Sequence, residues 1–427
     1  MRIIKTDLDF IREKLLAPFG FKGRYLNELW QPVVKLSTEK YTAVCPSVQS
    51  VLWSDADVFA STSPAASNAL MLAVTAYALK LIDGIDFNTP KDLQNKILPA
   101  LAEYAKKLCD FDVKPTFILN SLVSIDFAIW SLYAKEKNAS GFDDIIPAHA
   151  KKAMSAHNDK LVQIPLISYN VRDESIKEVL YNGASLLKIK IGNCVQPENH
   201  DQDMQSMVDW DKKRLLQIHT LADNYTTPYS ESGNVLYYLD ANGRYDKKSR
   251  LMELLNFADR IGALKRIVLL EEPFSLDDTT NVSDLPVTVT SDESAHSLED
   301  VNTRLALGYK AIALKPIAKT LTASFDMAAA AYASGAMCFC ADLTVNPMLA
   351  EWNKQFAARL KPLKGMNCGC VEVNGDMNYV NWNEMKKMLP QGYGYTEAKN
   401  GAFTTDNKFF VDSVKLFNEN RYKSLFM

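Results

Sequence analysis

Residues 161–375 repeat one pattern along the chain: a short apolar run, a polar turn, an amphipathic stretch of helical length, and then another apolar run. Strand-length runs that alternate with helical stretches, here for example 249–261 and 320–334, are typical of parallel sheets with crossover helices. The eight apolar runs are residues 164–170, 185–192, 235–243, 266–274, 287–294, 311–317, 336–343 and 369–375. Eight such units predict an α/β protein with a (β/α)8 barrel, and a doubly wound open sheet is the alternative.

The first 160 residues have a different pattern, in which strand-like stretches precede a block of helical periodicity. The predicted strands lie at 30–36 and 41–47, and the predicted helices at 66–81, 92–108 and 115–135. Strands followed by helices predict an α+β domain over 1–160, in front of a barrel over 161–375. Residues 376–427 contain no repeat unit, and we expect them to pack back on the first domain.

Three consecutive apolar runs end in a carboxylate. Asp240, Glu271 and Asp292 close these runs and are separated by 31 and 21 residues, about one strand–helix unit each. In a barrel of this kind the catalytic groups project from the carboxyl ends of the strands, so three neighbours would share one mouth. Three carboxylates form an all-oxygen site that suits Mg²⁺, with Mn²⁺ as an alternative ion. The other interpretation of each acid is a solvated loop carboxylate.

Lysines stand in or directly after two of the apolar runs. Lys188 and Lys190 are two residues apart and project from the same strand face, and Lys315 follows Asp292 by 23 residues. Two buried ammonium groups disfavour each other's charge, which predicts that one of them has a pKa lowered toward neutrality. A lysine of that kind is a general base. The alternative is a solvated edge strand, which the flanking apolar residues disfavour.

These groups together predict one kind of chemistry. A proton α to a carboxylate is weakly acidic, and its removal leaves an enediolate with negative charge on two oxygens. A divalent cation and a nearby ammonium group stabilise that charge where it develops. Because Lys190 and Lys315 lie four strands apart in the predicted barrel, a small carboxylate held between them would meet a base on each face.

Composition and motifs exclude several other functions. The chain has 48 lysines and arginines and 51 aspartates and glutamates, a formal net charge of −3 that does not favour nucleic acid or anionic lipid as a partner. It contains no P-loop and no glycine fingerprint, so we expect no nucleotide cofactor. The N-terminus carries charges where a signal peptide is apolar, and the apolar stretch around 69–78 is short for a bilayer. We therefore expect a cytoplasmic location without membrane attachment.

The seven cysteines form no C-x-x-C pair, and their odd number is typical of a reducing compartment. Cys338 and Cys340, like Cys368 and Cys370, lie in apolar runs. We interpret these four as small buried hydrophobic residues. A metal–thiolate site is the alternative.

Five short motifs follow one another in the order of the predicted strands: K-I-K at 188–190, D-A-N-G at 240–243, E-E-P at 271–273, D-E-S at 292–294 and a lysine before Pro316. Together they resemble the enolase superfamily, in particular the muconate-lactonising subgroup that includes mandelate racemase and the dipeptide epimerases. The stretch 125–135 is similar to the segment that ends the capping domain of that family. The resemblance extends over residues 115–345 and implies a barrel with an α+β capping domain, formed by the N-terminal part and the C-terminal tail.

The resemblance implies three metal ligands, an acid–base pair and an assisting lysine. They are Asp240, Glu271 and Asp292 for the metal, Lys190 and Lys315 for the acid–base pair, and Lys188 beside Lys190 and against the substrate carboxylate. Asn242 and Glu293 would support the metal ligands without being ligands themselves. The alternative is that both are ordinary turn residues. Glu272 would orient the turn before Pro273 and not bind the metal.

The chain departs from the dipeptide epimerases on the last strand. Those enzymes carry an acidic D-x-D there for the substrate ammonium group, whereas this chain has Glu372 and Asn374 at the matching positions. These two residues and Asp342 are candidate substrate-binding residues, with a helix cap as the alternative for Asp342. Phe19 and Arg24, in a predicted specificity loop at 18–25, are the other two candidates.

Two insertions, at 193–209 and 223–234, are expected to lie at the barrel mouth. The reaction itself stays open between three possibilities. An Mg²⁺-dependent racemase or epimerase of a dipeptide or amino-acid derivative is the main prediction. A cycloisomerase or syn-eliminating lyase shares its first step, and a non-catalytic protein that binds metal or a small acid is the third possibility. Association into a homo-oligomer is also open.

Overall fold

The computed structural model describes residues 1–21, 24–193, 200–387, 389, 396–417 and 421–426. Its strands form two sheets: a small antiparallel sheet at the N-terminus and a large, mainly parallel sheet. The long N-terminal helices pack against the small sheet, and the later helices surround the large one.

The N-terminal sheet has three antiparallel strands in the order β1–β2–β3. These are β1 (Lys5–Phe21), β2 (Arg24–Ser37) and β3 (Thr42–Pro46). The sequence pattern predicted β2 and β3 but missed β1. The reason is that residues 5–14 of β1 are all exposed or half-buried and carry charges without regular alternation. The pairing of β1 with β2 is interrupted between Lys14 and Phe19.

Five helices follow the small sheet, and the three longest confirm the predicted helical block. They are α1 (Val51–Ser54), α2 (Ala56–Ser61), α3 (Pro64–Ile82), α4 (Pro90–Cys109) and α5 (Pro115–Glu136). By length and composition alone α3 and α5 could cross a membrane, since α3 extends the apolar stretch at 69–78 to 19 residues. Helix α5 is almost entirely buried inside the protein, which is the position of a core helix.

The large sheet contains the predicted barrel strands. They are β4 (Lys160–Ile164), β5 (Leu166–Ile167), β6 (Leu186–Lys190), β7 (Leu236–Asp240), β8 (Ile267–Glu271), β9 (Val289–Ser291), β10 (Ala311–Leu314), β11 (Met337–Cys340) and β12 (Gly369–Glu372). Strands β4 and β5 are two halves of one strand that is interrupted at Pro165, which has no N–H to donate. The first half pairs with β12 and the second with β6, both in parallel. The sheet therefore closes, which confirms the barrel and rules out the open sheet.

Helices connect the barrel strands on the outside. They are α6 (Asp173–Tyr181), α7 (His200–Ala222), α8 (Lys248–Arg260), α9 (Leu298–Ala306), α10 (Pro316–Lys319), α11 (Leu321–Ala333) and α12 (Pro347–Ala357). Inside the barrel, apolar side chains such as Leu186, Tyr238 and Phe339 form a packed core. A filled interior leaves the ends of the barrel as the place for a site.

The expected position of the insertion at 223–234 is wrong. Thr227 contacts Ser185, which directly precedes β6, and Ser230 forms a β-bridge with Met366, just before β12. This loop therefore covers the amino end of the barrel, opposite to the mouth. In the insertion at 193–209, residues 200–209 are the first turns of α7, and residues 194–199 lie outside the described part of the chain.

The C-terminal segment contacts both the barrel and the N-terminal elements. It contains α13 (Gly375–Asn378), α14 (Trp382–Lys386), β13 (Ala402–Thr404), α15 (Asn407–Asp412), α16 (Val414–Phe417) and a 3-10 turn at Arg421–Phe426. Strand β13 extends the large sheet by pairing antiparallel with β4. Helix α16 packs on α5, and the 3-10 turn packs on β1 and β3. The domain limits at 160 and 375 stay predictions.

A buried carboxylate joins α5 to the barrel. Asp126 of α5 accepts hydrogen bonds from the backbone N–H groups of Leu321 (2.7 Å) and Thr322 (3.2 Å) and from the Thr322 hydroxyl, at the start of α11. Trp130 Nε1 donates to the same hydroxyl at 2.9 Å. Burial raises the pKa of Asp126 to about 6, although the hydrogen bonds that Asp126 accepts from Leu321 and Thr322 lower it.

We expect this junction to make the stability of the protein pH-dependent. Because the pKa of Asp126 is higher in the folded protein than in the unfolded chain, its contribution is present at low pH and is lost as the pH rises from about 4 to about 6. Two pKa units correspond to roughly 3 kcal/mol of unfolding free energy. Urea unfolding of the wild type and of Asp126→Asn across this range should show a difference that changes by that amount. A difference that is constant with pH would contradict the assignment.

Candidate active site

The strand registers place the predicted site residues in one ring at the carboxyl ends of the strands. Lys190 on β6 pairs with Asp240 on β7, and Asp240 pairs with Glu271 on β8. Asp292 directly follows β9, and Lys315 directly follows β10. The structure therefore brings together residues that are up to 125 positions apart in the sequence.

Lys188 lies among three carboxylates and is 4% exposed. Its Nζ is 2.9 Å from Glu271 Oε2, 3.0 Å from Asp240 Oδ2 and 3.3 Å from Glu372 Oε2. Burial lowers the pKa of Lys188, but the three carboxylates outweigh burial and raise that pKa well above its usual range. The predicted lowering is therefore wrong for Lys188, because its dominant neighbours are carboxylates and not the second ammonium group.

Lys190 is held by the loop that follows β7. Its Nζ lies 2.6 Å from Asp240 Oδ2 and also donates to the side-chain oxygen of Asn242. Asn242 in turn donates its side-chain N–H to Glu293 Oε1 at 3.3 Å, and its backbone N–H to Asp240 Oδ1 at 3.1 Å. Asn242 has φ +45°, in the left-handed region that asparagine tolerates better than most residues. It thus connects a lysine with two carboxylates.

Asp292 lies between two buried ammonium groups. Lys315 Nζ contacts one of its oxygens, and Lys319 Nζ lies 3.0 Å from the other and 2.9 Å from the Ala295 carbonyl oxygen. Burial acts to raise the pKa of Asp292, but the two lysines outweigh it and hold that pKa well below its usual range. Lys319 was missed by the sequence analysis. Its spacing of four from Lys315, about one helical turn, was the available signal.

Glu271 is fully buried, and one of its oxygens has no hydrogen-bond partner in the described part of the chain. Tyr238 donates its hydroxyl hydrogen to Oε2, and Oε1 has no partner among the described residues. Burial, and then the charge of Asp240, raise the pKa of Glu271 well above its usual range. Tyr238 was also missed, although it stands two residues before Asp240 and so on the same strand face. A buried carboxylate with an unpaired oxygen and a raised pKa is stabilised when a cation binds beside it.

Three carboxylates come close enough to share a cation. Ligand oxygens of Glu271, Asp292 and Glu293 lie within 4.8 Å of one another, and Glu293 Oε2 also has no partner among the described residues. A buried, all-oxygen group with unpaired atoms suits a hard divalent cation. This trio contains Glu293 where the prediction had Asp240. The Oδ2 atom of Asp240 contacts both Lys188 and Lys190.

Glu272 organises the loop after β9 and is not part of this trio. Its Oε1 accepts hydrogen bonds from the backbone N–H groups of Asp292 (2.6 Å) and Ser294 (2.9 Å) and from the Ser294 hydroxyl at 2.6 Å. Burial and then the charge of Glu293 raise the pKa of Glu272 to about 7. Glu272, which is next to the candidate ligand Glu271, therefore positions the loop that carries Asp292 and Glu293.

A cavity of about 650 Å³, part of it open to solvent, lies over this ring. Its barrel side includes the three predicted lysines, and its other side is formed by Leu15 of β1, Leu26 and Leu29 of β2 and Trp53 of α1. The N-terminal elements therefore cover the barrel mouth, as the resemblance implies. Of the two predicted loop candidates, Arg24 is exposed and does not line the cavity, and the side chain of Phe19 lies outside the described part of the chain.

The three candidates on the last two strands do line the cavity. Asn374 donates its side-chain N–H to Glu372 Oε1 at 2.7 Å and its backbone N–H to Asp342 Oδ2 at 2.7 Å. Burial, and then the charge of Glu372, raise the pKa of Asp342 to about 7. The helix-cap alternative for Asp342 is wrong, since Asn346 caps the following helix.

The metal–thiolate alternative finds no support in the described part of the chain. Among the described residues, the acidic, histidine or cysteine side chains that lie close enough together to bind a metal ion are Glu271, Asp292 and Glu293, and no cysteine is among them. Cys338, Cys340, Cys368 and Cys370 have free thiols, and burial raises the pKa of each. They are buried or half-buried hydrophobic residues of the barrel.

Solved structures resemble this chain along nearly its whole length. A mandelate racemase/muconate lactonizing protein from Herpetosiphon aurantiacus has 17% sequence identity and a TM-score of 0.65, and the match covers 94% of this chain and 95% of that one. A dipeptide epimerase from Enterococcus faecalis V583, solved with Mg and the dipeptide L-Leu-L-Tyr, has 14% identity, a TM-score of 0.64, and coverages of 95% and 98%. An unknown member of the enolase superfamily from the same organism has 16% identity, a TM-score of 0.64 and coverages of 98%.

No family model and no curated protein matches the sequence. At 14–17% identity the structural likeness carries the fold and not the substrate. The matches with these three structures each cover at least 94% of this chain. The chain thus has the fold of the enolase superfamily, in the form found in its mandelate racemase/muconate lactonizing enzymes.

Proposed function

We propose that this protein is an enolase-superfamily enzyme that removes the proton α to the carboxylate of a small molecule, through an enediolate, in an Mg²⁺-dependent racemisation or epimerisation. One observation carries the proposal. Lys190 and Lys315 line the same cavity, and their strands, β6 and β10, are four positions apart in a ring of eight. Two lysines on opposite sides of a bound acid suit removal of a proton on one face and its return on the other.

The carboxylates beneath the cavity fit a divalent cation. The resemblance assigns Asp240, Glu271 and Asp292 as ligands, and the geometry adds Glu293. Glu271 and Glu293 each bring a buried oxygen without a partner among the described residues. When bound there, Mg²⁺, or Mn²⁺ as an alternative ion, would neutralise negative charge that develops on the substrate carboxylate.

The side chains around the cation site have separate tasks in this proposal. Lys190 and Lys315 exchange protons with the α-carbon from opposite faces. Lys188, which is buried and charged, supplies positive charge to the substrate carboxylate. The apolar side chains that cover the cavity exclude water, which strengthens every electrostatic interaction beneath them.

Related structures support an isomerase that acts on an amino-acid derivative. One was solved as a dipeptide epimerase with Mg and a dipeptide, and another as the L-Ala-D/L-Glu epimerase from Bacillus subtilis with its substrate. A muconate lactonizing enzyme from Pseudomonas putida has a similar fold, with a TM-score of 0.62. Cycloisomerisation or syn-elimination would begin with the same proton removal, and one lysine would then act as a cation.

Proton exchange in D₂O tests the proposal. The protein is incubated with Mg²⁺ and a set of enantiopure N-acylamino acids and dipeptides, and the α-proton signal is followed by NMR while chiral chromatography follows inversion. We expect loss of the α-proton together with inversion for at least one compound. A new unsaturated or cyclic product would assign the lyase or cycloisomerase instead. Mg²⁺ binding without exchange on any acid would favour a non-catalytic protein.

The partner in this proposal is a small-molecule carboxylate. The cytoplasmic location, the absence of nucleic-acid and membrane partners, and assembly into a homo-oligomer stay predictions from the sequence. A mass measurement of the protein in solution would decide the last of these.

A further inference from the structure

We propose that Tyr238 is a positioning residue for the cation site: its hydroxyl fixes the orientation of the Glu271 carboxylate and thereby sets the affinity of the protein for Mg²⁺. The inference rests on the proposed function, because it concerns the cation that this function requires. Tyr238 lies outside all five motifs that carry the resemblance, so the resemblance assigns it no role.

The first observation is that the two oxygens of Glu271 have different surroundings. The Tyr238 hydroxyl donates to Oε2, and Lys188 Nζ contacts the same atom at 2.9 Å. An ammonium group so close disfavours a second cation on that oxygen. Oε1 has no hydrogen-bond partner among the described residues. Oε1 is therefore the oxygen that Glu271 offers to a cation, as long as the carboxylate keeps this orientation.

The second observation is that the Tyr238 ring is packed on two sides. Tyr238 is fully buried and stands on β7 directly opposite Lys188 on β6. Lys188 Nζ lies 4.7 Å from the centroid of the ring, and the ring of Phe339 meets it edge-on at a centroid distance of 5.3 Å. Because the core around it is closely packed, the ring cannot move its hydroxyl away from Glu271 without displacing these neighbours.

The third observation is that Tyr238 touches the site at a single member of the carboxylate trio. Glu271, Asp292 and Glu293 lie close enough together to share a cation, and only Glu271 accepts a hydrogen bond from Tyr238 among the described contacts. Groups that hydrogen-bond a metal-binding carboxylate orient it and raise the affinity for the metal. Tyr238 has this relation to Glu271 without being a candidate ligand itself.

The two common divalent cations should depend on this orientation to different degrees. Mg²⁺ is small and requires a nearly octahedral arrangement of ligands, so it needs each carboxylate in a fixed orientation. Ca²⁺ accepts a more variable geometry and binds carboxylates through one oxygen or two. A Glu271 carboxylate that has lost its tyrosine donor would therefore bind Mg²⁺ more weakly and Ca²⁺ nearly as before.

Tyr238→Phe tests the inference, because it keeps the ring beside Lys188 and removes only the hydroxyl. Binding of MgCl₂ and of CaCl₂ to the metal-free, full-length wild type and variant is measured by calorimetry. We expect Tyr238→Phe to weaken Mg²⁺ binding about tenfold, which is the usual effect of losing a group that supports a metal ligand. Ca²⁺ binding should stay almost unchanged, so that the ratio of the two affinities changes.

Tyr237→Phe is the matched control. Tyr237 precedes Tyr238 on β7 and is also fully buried, but its hydroxyl lies on the other face of the strand, 2.8 Å from His219 Nδ1. This variant should bind both ions as the wild type does. Circular dichroism checks the fold of each variant. Should Tyr238→Phe not fold, Tyr238→Met removes the same hydroxyl and should weaken Mg²⁺ binding at least as much.

Three results would overturn the inference: no Mg²⁺ binding by the wild type, an unchanged Mg²⁺ affinity in Tyr238→Phe, or an equal loss for Mg²⁺ and Ca²⁺, which would indicate a general structural effect. Metal binding is measured apart from proton exchange. If the affinities change as expected but no acid exchanges its α-proton, the proposed function fails and the inference stands. If the wild type exchanges α-protons but Tyr238→Phe binds Mg²⁺ normally, the inference fails alone.

Discussion

Replacement of Lys190 or Lys315 by alanine should lower the rate of inversion of the substrate by about a thousandfold, which is within the range for loss of a positioned acid–base group. The two variants should differ in proton exchange. Because the lysines lie on opposite sides of the ring, each variant should still exchange the α-proton of one enantiomer, and the two variants should spare opposite enantiomers. NMR in D₂O with each pure enantiomer measures this directly.

An exposed lysine provides the control for that experiment. Lys177 lies on the outer helix α6, so Lys177→Ala should leave inversion and exchange unchanged. If Lys190→Ala kept full inversion, the acid–base assignment would be wrong. If both lysine variants lost exchange of the same enantiomer, the two lysines would act on one face, and the proposal of two-sided catalysis would be refuted.

Asp292→Asn should lower the free energy of unfolding of the metal-free protein by about 3–5 kcal/mol, the usual cost of removing one partner from a buried ion pair. The substitution leaves Lys315 and Lys319, which are 3% and 0% exposed, without their shared carboxylate. Glu271→Gln should cost less, about 1 kcal/mol, the typical effect of a point substitution. The reason is that Lys188, the ionic partner of Glu271, still contacts the carboxylates of Asp240 and Glu372. Urea unfolding with a chelator present compares the two.

The same two variants should respond differently from the wild type to Mg²⁺. A cation that binds only the folded protein stabilises it by about 2.7 kcal/mol at a hundredfold excess over its Kd. The wild type should gain this stability, whereas Asp292→Asn and Glu271→Gln should lose most of the gain. An Asp292→Asn protein as stable as the wild type without metal, or one stabilised by Mg²⁺ to the same degree, would contradict the assigned role of Asp292.

Local signals in the sequence were sufficient to find the barrel and the ring of charges. Each barrel strand is an apolar run, and a charged residue marks the end of that run. Both signals can be recognised from neighbouring residues alone. Asp240, Glu271 and Lys190 were found in this way, and the strand registers place them level with one another. Tyr238 and Lys319 carried equally local signals, at spacings of two and four from residues already singled out.

Other features left no local signal. Strand β1 has no regular apolar alternation over its first ten residues, because neither of its faces is fully buried there. The loop at 223–234 could not be assigned to either end of the barrel from its composition, since both ends carry polar loops. Its position follows from contacts with Ser185 and Met366, which are distant in the sequence.

By itself, the sequence predicted a barrel, with an open sheet as the alternative, and the charges at its strand ends, because strand periodicity and strand-end charges are properties of neighbouring residues. Only the tertiary structure decided which charges meet. It surrounds Lys188 with carboxylates, which raises a pKa that the lysine pair alone was expected to lower. It also brings Trp53 over Lys315 and Leu15 into the wall of the same cavity. Burial and electrostatic interactions depend on distances in space, and packing of the N-terminal elements against the barrel sets those distances.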